Sequence, residues 1–496
     1  MPSIRKTKTA SGAVAVQVVR YENRKVIIEK HIGSAHTPDE VAALIESAEA
    51  WLIQNTPQAQ LFPKTPRRTI ALTSARYVGT RYAFAHTVLS AIAERCGFAA
   101  LRSPLLLDLA FMRLIEPASK LRSVVLLQQY FGIRYAERSV YRTLPKLLKH
   151  KEHAEQIAVE CATKLLSQNL CLVLYDVTTL YFETFDADDL RIPGFSKDNK
   201  SQQPQIVIGL LVTREGFPLG WEVFKGNTFE GKTIIPVLDA FTLVHKVATP
   251  TVVADAAMLS RENIAELSRR GISYIVGARL GNTKSAHIKA VAEALEQKDG
   301  ATIRTTTDHG DLICSFSIKR FRKDKAEMER QIEKGKALVV RHEPGKRAKF
   351  VKRSGNDGYE LDDALVAKTT RLLGLKGYYT NIPSKTLSNR DVIARYHDLW
   401  HVEQAFRIAK SDLATRPIFH RKEDAVKAHM VICFVALAIG KYLEITTGLS
   451  IRRIMDALWS VTDANIIDST TGEVFMLRSE MNQDTRALLK KLRLSY

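Results

Sequence analysis

The chain has 496 residues, 45% apolar and 25% charged, a composition that excludes a disordered or fibrous class. Lys and Arg number 73 against 53 Asp and Glu, so the net charge of +20 points to a polyanionic partner or an anionic surface. The most apolar stretch, Met430 to Ile439, falls short of the ~18 residues of a membrane span, so no membrane partner is expected.

The start, MPSIRKTKTASG, has no apolar signal core, which predicts a cytoplasmic, reducing setting. The five cysteines, Cys96, Cys161, Cys171, Cys314 and Cys433, have no CxxC spacing and imply neither a disulfide framework nor a zinc site. Residues 1–65 read as a β-hairpin, its two runs flanking Glu22-Asn23, and a helix capped by Thr37. Residues 66–168 are helical in pattern. The short segments on either side of Gly132 fit either a helix-turn-helix or a plain bundle. Arg134, Arg138, Arg142 and Lys146 recur at helical spacing, as a DNA-binding stripe or a solvated face.

The texture changes in 169–280. LCLVLYD reads as a buried strand ending in Asp176, followed by the strands QIVIGLLV and GWEVFKG, a helix, and TPTVVAD ending in Asp255. Strands in a meander followed by alternating helix and strand describe an α/β fold with a mixed sheet. Residues 281–375, with a dense basic run from Lys319 to Arg353, read as an inserted subdomain. Residues 376–446 resume the core with the strand GYYTNI and one patterned helix over 389–411, and 447–496 form a tail with a hairpin and a last helix.

Strand ends in open α/β sheets are where ligand sites form. Asp176 and Asp255 suit such a site, although an Asp there also begins turns or caps helices. Tyr396, Glu403 and Lys410 are seven apart, which on one straight helix places them along one stripe. His397 and His401 lack the HExxH order of a zinc pair, and Ser196 and Ser260 sit in no hydrolase motif. Trp221 and Trp400 are expected in the core rather than stacked on a base.

YDVTTLYFE, ADAAMLS and the pattern Y-x2-L-W-x-V-E-x6-K, in this order, resemble the DDE transposases of bacterial insertion sequences. The resemblance is to the insertion-sequence-four superfamily, in its sixteen-thirty-four-like branch, and runs over about residues 1 to 450. It implies a ribonuclease-H-like catalytic core with Asp176, Asp255 and Glu403 as catalytic, metal-holding acids. It also implies two Mg²⁺ ions, with Mn²⁺ as a substitute, and Tyr396 and Lys410 as DNA-phosphate contacts. The signature Arg position holds Leu399, and Arg407, one turn after Glu403, is the candidate to replace it. The expected reaction is cut-and-paste transposition: element ends are bound as double-stranded DNA, cleaved, and joined through the 3′ hydroxyl to target DNA. A dimer is expected in that complex, and the resemblance permits a hairpin intermediate. The alternatives at this point are a metal-dependent nuclease or resolvase without strand transfer, and a catalytically silent DNA-binding protein. The charge of +20 argues against a sugar cleft.

Overall fold

The computed structural model describes residues 2–55, 72–168, 170–195, 202–245, 250–258, 260–308, 310–341, 348–354 and 358–495. The expected boundary at 65/66, Ser196, and residues 342–347 of the basic run lie outside the described residues. The chain divides into two compact units: Met1–Ser90 with Val124–Tyr135 and Arg452–Tyr496, and Ala91–Ser123 with Ala136–Ile451.

The first strands, β1 (Ser3–Lys8), β2 (Val14–Glu22) and β3 (Lys25–Ala35), form an antiparallel sheet in that order. Asn23 and Arg24 both take positive φ, the geometry of a two-residue hairpin turn. Helix α1 (Pro38–Asn55) starts from a reciprocal cap. The Glu40 amide donates to Thr37 Oγ1 at 3.4 Å, and the Thr37 amide donates to the Glu40 carboxylate at 3.3 Å. Val16, Val18, Ala35, Leu44 and Ala48 form the core between this helix and the sheet.

The helical stretch follows β4 (Ala75–Arg81): α2 (Ala83–Arg95), α3 (Pro104–Ile115), α4 (Lys120–Leu126), α5 (Glu137–Thr143) and α6 (Lys151–Glu160). A π turn, Leu127–Phe131, extends α4 to Gly132, whose φ of 74° ends it. A 3-10 segment, Leu144–His150, connects α5 to α6, so Glu137–Glu160 is nearly continuous. Arg134, Arg138, Arg142 and Lys146 are all exposed.

Next come β5 (Leu172–Tyr181), β6 (Gln205–Thr213), β7 (Pro218–Lys225), α7 (Ile234–His245), β8 (Thr251–Ala254), α8 (Arg261–Arg269) and β9 (Tyr274–Ala278). Then follow α9 (Ser285–Leu295), β10 (Thr302–Thr307), β11 (Gly310–Phe316), α10 (Ile318–Arg341), β12 (Val351–Ser354), β13 (Gly358–Leu361), α11 (Asp363–Leu372) and β14 (Leu375–Thr380). The chain closes with α12 (Asn389–His397), α13 (Trp400–Arg407), α14 (Glu423–Thr447), α15 (Ile451–Trp459), β15 (Asp463–Asp468), β16 (Val474–Arg478) and α16 (Gln483–Leu492).

The main sheet has eight strands in the order β10-β11-β14-β9-β8-β5-β6-β7. Only β5-β8 and β8-β9 are parallel, so the sheet is mixed. Its central strands are buried almost throughout, as in the nine-residue run of β6. Helix α14 is long and apolar enough to cross a membrane by length and composition, but most of it is buried inside the protein as a core helix.

Three expectations change. β5 does not end at Asp176. Its β-branched continuation VTTLY stays paired with β6 to Tyr181. Segment 281–375 is not wholly apart, because β10 and β11 extend the main sheet through the pairing of β11 with β14. The helix over 389–411 is broken. Leu399 donates to the Tyr396 carbonyl, His401 to Asp398 and Val402 to Leu399, a tight turn of three-residue bonds that resets the helical phase.

Candidate functional site

The site is built on the edge where parallel pairing stops. β5 and β8 run side by side from Leu172↔Thr251 to Tyr175↔Ala254. The next residue on each strand is an acid, Asp176 and Asp255, and neighbouring strands lie ~4.8 Å apart. At this point β5 keeps only β6 as a partner, with Asp176 opposite Leu210, while the segment after β8 turns away through a 3-10 segment, Ala256–Met258.

Alternation along β5 puts Asp176 on the same side as Thr178 and Leu180. With Phe406, Lys410 and residues of α14, these two line an apolar cavity of about 40 Å³. That side of the sheet is therefore the one covered by α13, which packs on β5 and β6. Glu403 lies one turn before Phe406 on α13 and is exposed, as is Asp255; Asp176 is half-buried.

Helix α12 crosses β8, β9 and β14 and delivers Tyr396. The phenol is buried, and its hydroxyl donates to Asp255 Oδ1 at 2.9 Å. Burial pushes the Tyr396 pKa well up, and the charges of Asp255 and Glu403 push it further, so it remains a proton donor. Gly277 makes room for this contact: a Cβ there would lie 2.6 Å from the Tyr396 hydroxyl. The reset between α12 and α13 separates the expected stripe. Tyr396 faces the sheet, Glu403 faces solvent, and Lys410 falls in a π turn, Ile408–Asp412, half-buried.

Arg407 is exposed, whereas Leu399 is buried as a core residue. Trp221 is buried as expected. Trp400 is not: it is 53% exposed, because Leu399 and Val402 take the core positions at the start of α13. Its ring lies 3.8 Å from that of His401. Ser260 caps α8, accepting from the Asn263 amide at 3.0 Å. Among the described residues, no three His, Cys, Asp or Glu side chains gather closely enough to form a ready-made metal cage.

A buried polar chain anchors the segment after α13. The Thr415 amide and hydroxyl both donate to the Ala409 carbonyl, at 3.0 and 2.7 Å. The Thr415 carbonyl lies 3.1 Å from His429 Nε2, and a carbonyl only accepts, so Nε2 carries the proton. His429 Nδ1 is then the acceptor for buried Lys120 Nζ, also at 3.1 Å. Arg113 closes the turn by donating to the Ala414 and Leu413 carbonyls at 2.9 and 3.3 Å.

One cation escaped the reading of the sequence: Lys376, half-buried at the start of β14, near Arg320 of the basic run in the first turn of α10. The charges of Asp255 and Glu403 favour the Lys376 ammonium, but burial and Arg320 outweigh them and lower its pKa. The one local signal for Lys376 was a charge inside an apolar strand, LKGYYT.

No curated protein matches the chain. Among solved structures, the cryo-EM structure of a piggyBac transposase synaptic complex with hairpin DNA aligns with a TM-score of 0.35 at 11% identity, covering 85% of this chain and 77% of that one. A family model described as the transposase DDE domain matches residues 171–439, a span holding every strand of the main sheet and the three acids. Matched over more than half its length, the chain belongs to the DDE transposase family and is an enzyme of DNA transposition and recombination.

Proposed function

We propose that this transposase serves an insertion sequence of the insertion-sequence-four type, built on a ribonuclease-H-like core, and moves it by cut-and-paste. In this reading Asp176, Asp255 and Glu403 are the catalytic acids. The observation that carries it is the adjacency of Asp176 and Asp255 at the end of the β5-β8 pairing, with Tyr396 and Glu403 delivered to the same edge by α12 and α13.

The donor set fits Mg²⁺. It is all hard oxygen, and Mg²⁺ is usually held by one or two carboxylates with waters and substrate phosphates rather than by an all-protein cage. A pair of bound Mg²⁺ or Mn²⁺ ions would polarise the scissile phosphate and offset its developing charge. The protein groups do the positioning. Asp176, beside Asp255 at the end of the β5-β8 pairing and on the side covered by α13, suits a bridging ligand. Tyr396 holds the Asp255 carboxylate in one orientation through its 2.9 Å bond. Half-buried Lys410 and exposed Arg407 would meet phosphate on the α13 side, and exposed Arg138 and Arg142 suit the flanking duplex.

The DNA ends would be cleaved to a free 3′ hydroxyl that then attacks target DNA, with two chains pairing two ends in the bacterial cytoplasm. Labelled element-end duplexes, incubated with supercoiled target and Mg²⁺, test this. Joined products that disappear in D176N, D255N and E403Q are expected. Cleavage without joining would make the chain a nuclease, and binding without either would make it a silent DNA-binding protein. R407A leaving end binding and joining unchanged would remove Arg407 from the scheme.

A further inference from the structure

Lys376 lies on the same sheet edge as the acids. β14 runs antiparallel to β9 with Gly377 opposite Ala278, and β9 runs parallel to β8 with Val276 opposite Ala254. The beginning of β14 therefore meets the ends of β8 and β9. The Lys376 Nζ sits 4.6 Å from the Tyr396 ring centroid and 5.6 Å from that of Tyr378, and the two rings meet edge-on at 4.8 Å. The ammonium thus rests on the tyrosine whose hydroxyl holds Asp255.

Such ring contacts are weak and leave the N–H donors unused. Among the described residues, the Lys376 ammonium makes no hydrogen bond and no ion pair, although Asp255 and Glu403 are the opposite charges that act on it. A lysine serving only to neutralise those acids would close onto one of them. Three idle donors on a half-buried cation, beside two exposed carboxylates, call for an acceptor from outside the protein. The charges agree. Three acids alone repel a polyanion, and Lys376, with Arg320 of α10 nearby, sets positive charge beside them.

We infer that Lys376 binds a backbone phosphate of the DNA strand that lies at Asp255 and Glu403, holding that strand at the sheet edge. This rests on the carboxylate site proposed above and adds a contact outside the α12–α13 signature.

The test uses the full-length protein and a 30-base-pair duplex of mixed sequence, in buffer containing EDTA, so that neither metal nor cleavage enters. Binding is measured against salt concentration for wild type, K376M, K376Q and K376R. Loss of one phosphate contact lowers the slope of log K against log salt by ~0.9. We expect that decrease in K376M and K376Q and a wild-type slope in K376R. K376M keeps the apolar stem over Tyr396, and K376Q serves should it fail to fold. A purely structural lysine would change the melting temperature and leave the slope untouched. A wild-type slope in both neutral variants would overturn the assignment. D255N and E403Q report separately on the carboxylate site: both should tighten duplex binding by relieving repulsion, and unchanged affinity there would count against that site while the Lys376 slopes stand on their own.

Discussion

Two polar clusters meet at α13, and they are organised in opposite ways. Behind the helix, Lys120, His429, Thr415 and Ala409 form a buried chain in which each donor meets an acceptor. In front of it, Asp255 and Glu403 are exposed, and Lys376 has no bonded partner among the described residues. Burial makes an unpaired polar group costly, so the rear cluster pairs internally. Exposure lets the front cluster keep its charges for a ligand. The rear cluster supports the backbone, and the front one is the proposed site.

That contrast can be broken most severely at the front. D176N, D255N or E403Q should reduce DNA cleavage by ~10³-fold or more. For exposed Asp255 and Glu403, the melting temperature should stay nearly unchanged. A large loss of stability in E403Q would mean that Glu403 supports the fold, and the contrast would fail.

H429A should show the reverse pattern. Removing the imidazole strands Lys120 Nζ and the Thr415 carbonyl in the interior, at a cost of ~2–3 kcal/mol in chemical denaturation. Cleavage by the fraction still folded should be far less affected than in the acid variants.

Y396F sits between the two clusters in effect. It removes one charge-assisted hydrogen bond from Asp255, so a loss of ~10-fold in cleavage is expected with little change in folding. G277A should exceed it, because a Cβ 2.6 Å from the hydroxyl displaces the whole ring.

The smallest effect is a pH dependence at the rear. Burial, with Arg113 nearby, pulls the Lys120 pKa from 10.5 down to about 7. Between those values the unfolded chain binds the extra proton, so stability rises with pH across that window. Below it, the folded protein carries the full cost of a buried ammonium, with Arg113 adding repulsion and His420 and His429 kept neutral. K120M should therefore gain more melting temperature over wild type at pH 6 than at pH 10. An equal shift at both would show that Lys120 stays protonated in the folded protein across this range, its pKa not lowered.

Much of the site could be read without the fold, for a physical reason. Runs such as LVLYD and TVVAD announce buried strands by composition alone, and the acids are adjacent to them. The helix after Thr37 was visible in its capping pattern. The break in the helix over 389–411 was not, because Asp398 and Leu399 are ordinary helical residues. The turn there comes from packing, with Leu399 and Val402 both driven into the core. Seven-residue spacing therefore misjudged Tyr396, which turned inward to Asp255.

By itself the sequence determined the residue types, the strands that carry two acids and the motif order that marks the family. All of these depend on neighbours within a few positions. Only the tertiary structure decided that β10 and β11 join the main sheet, that β14 enters beside β9, and that Lys376 thereby comes to rest over Tyr396. Strand order is set by contacts between segments far apart in the chain, and local periodicity carries no information about them.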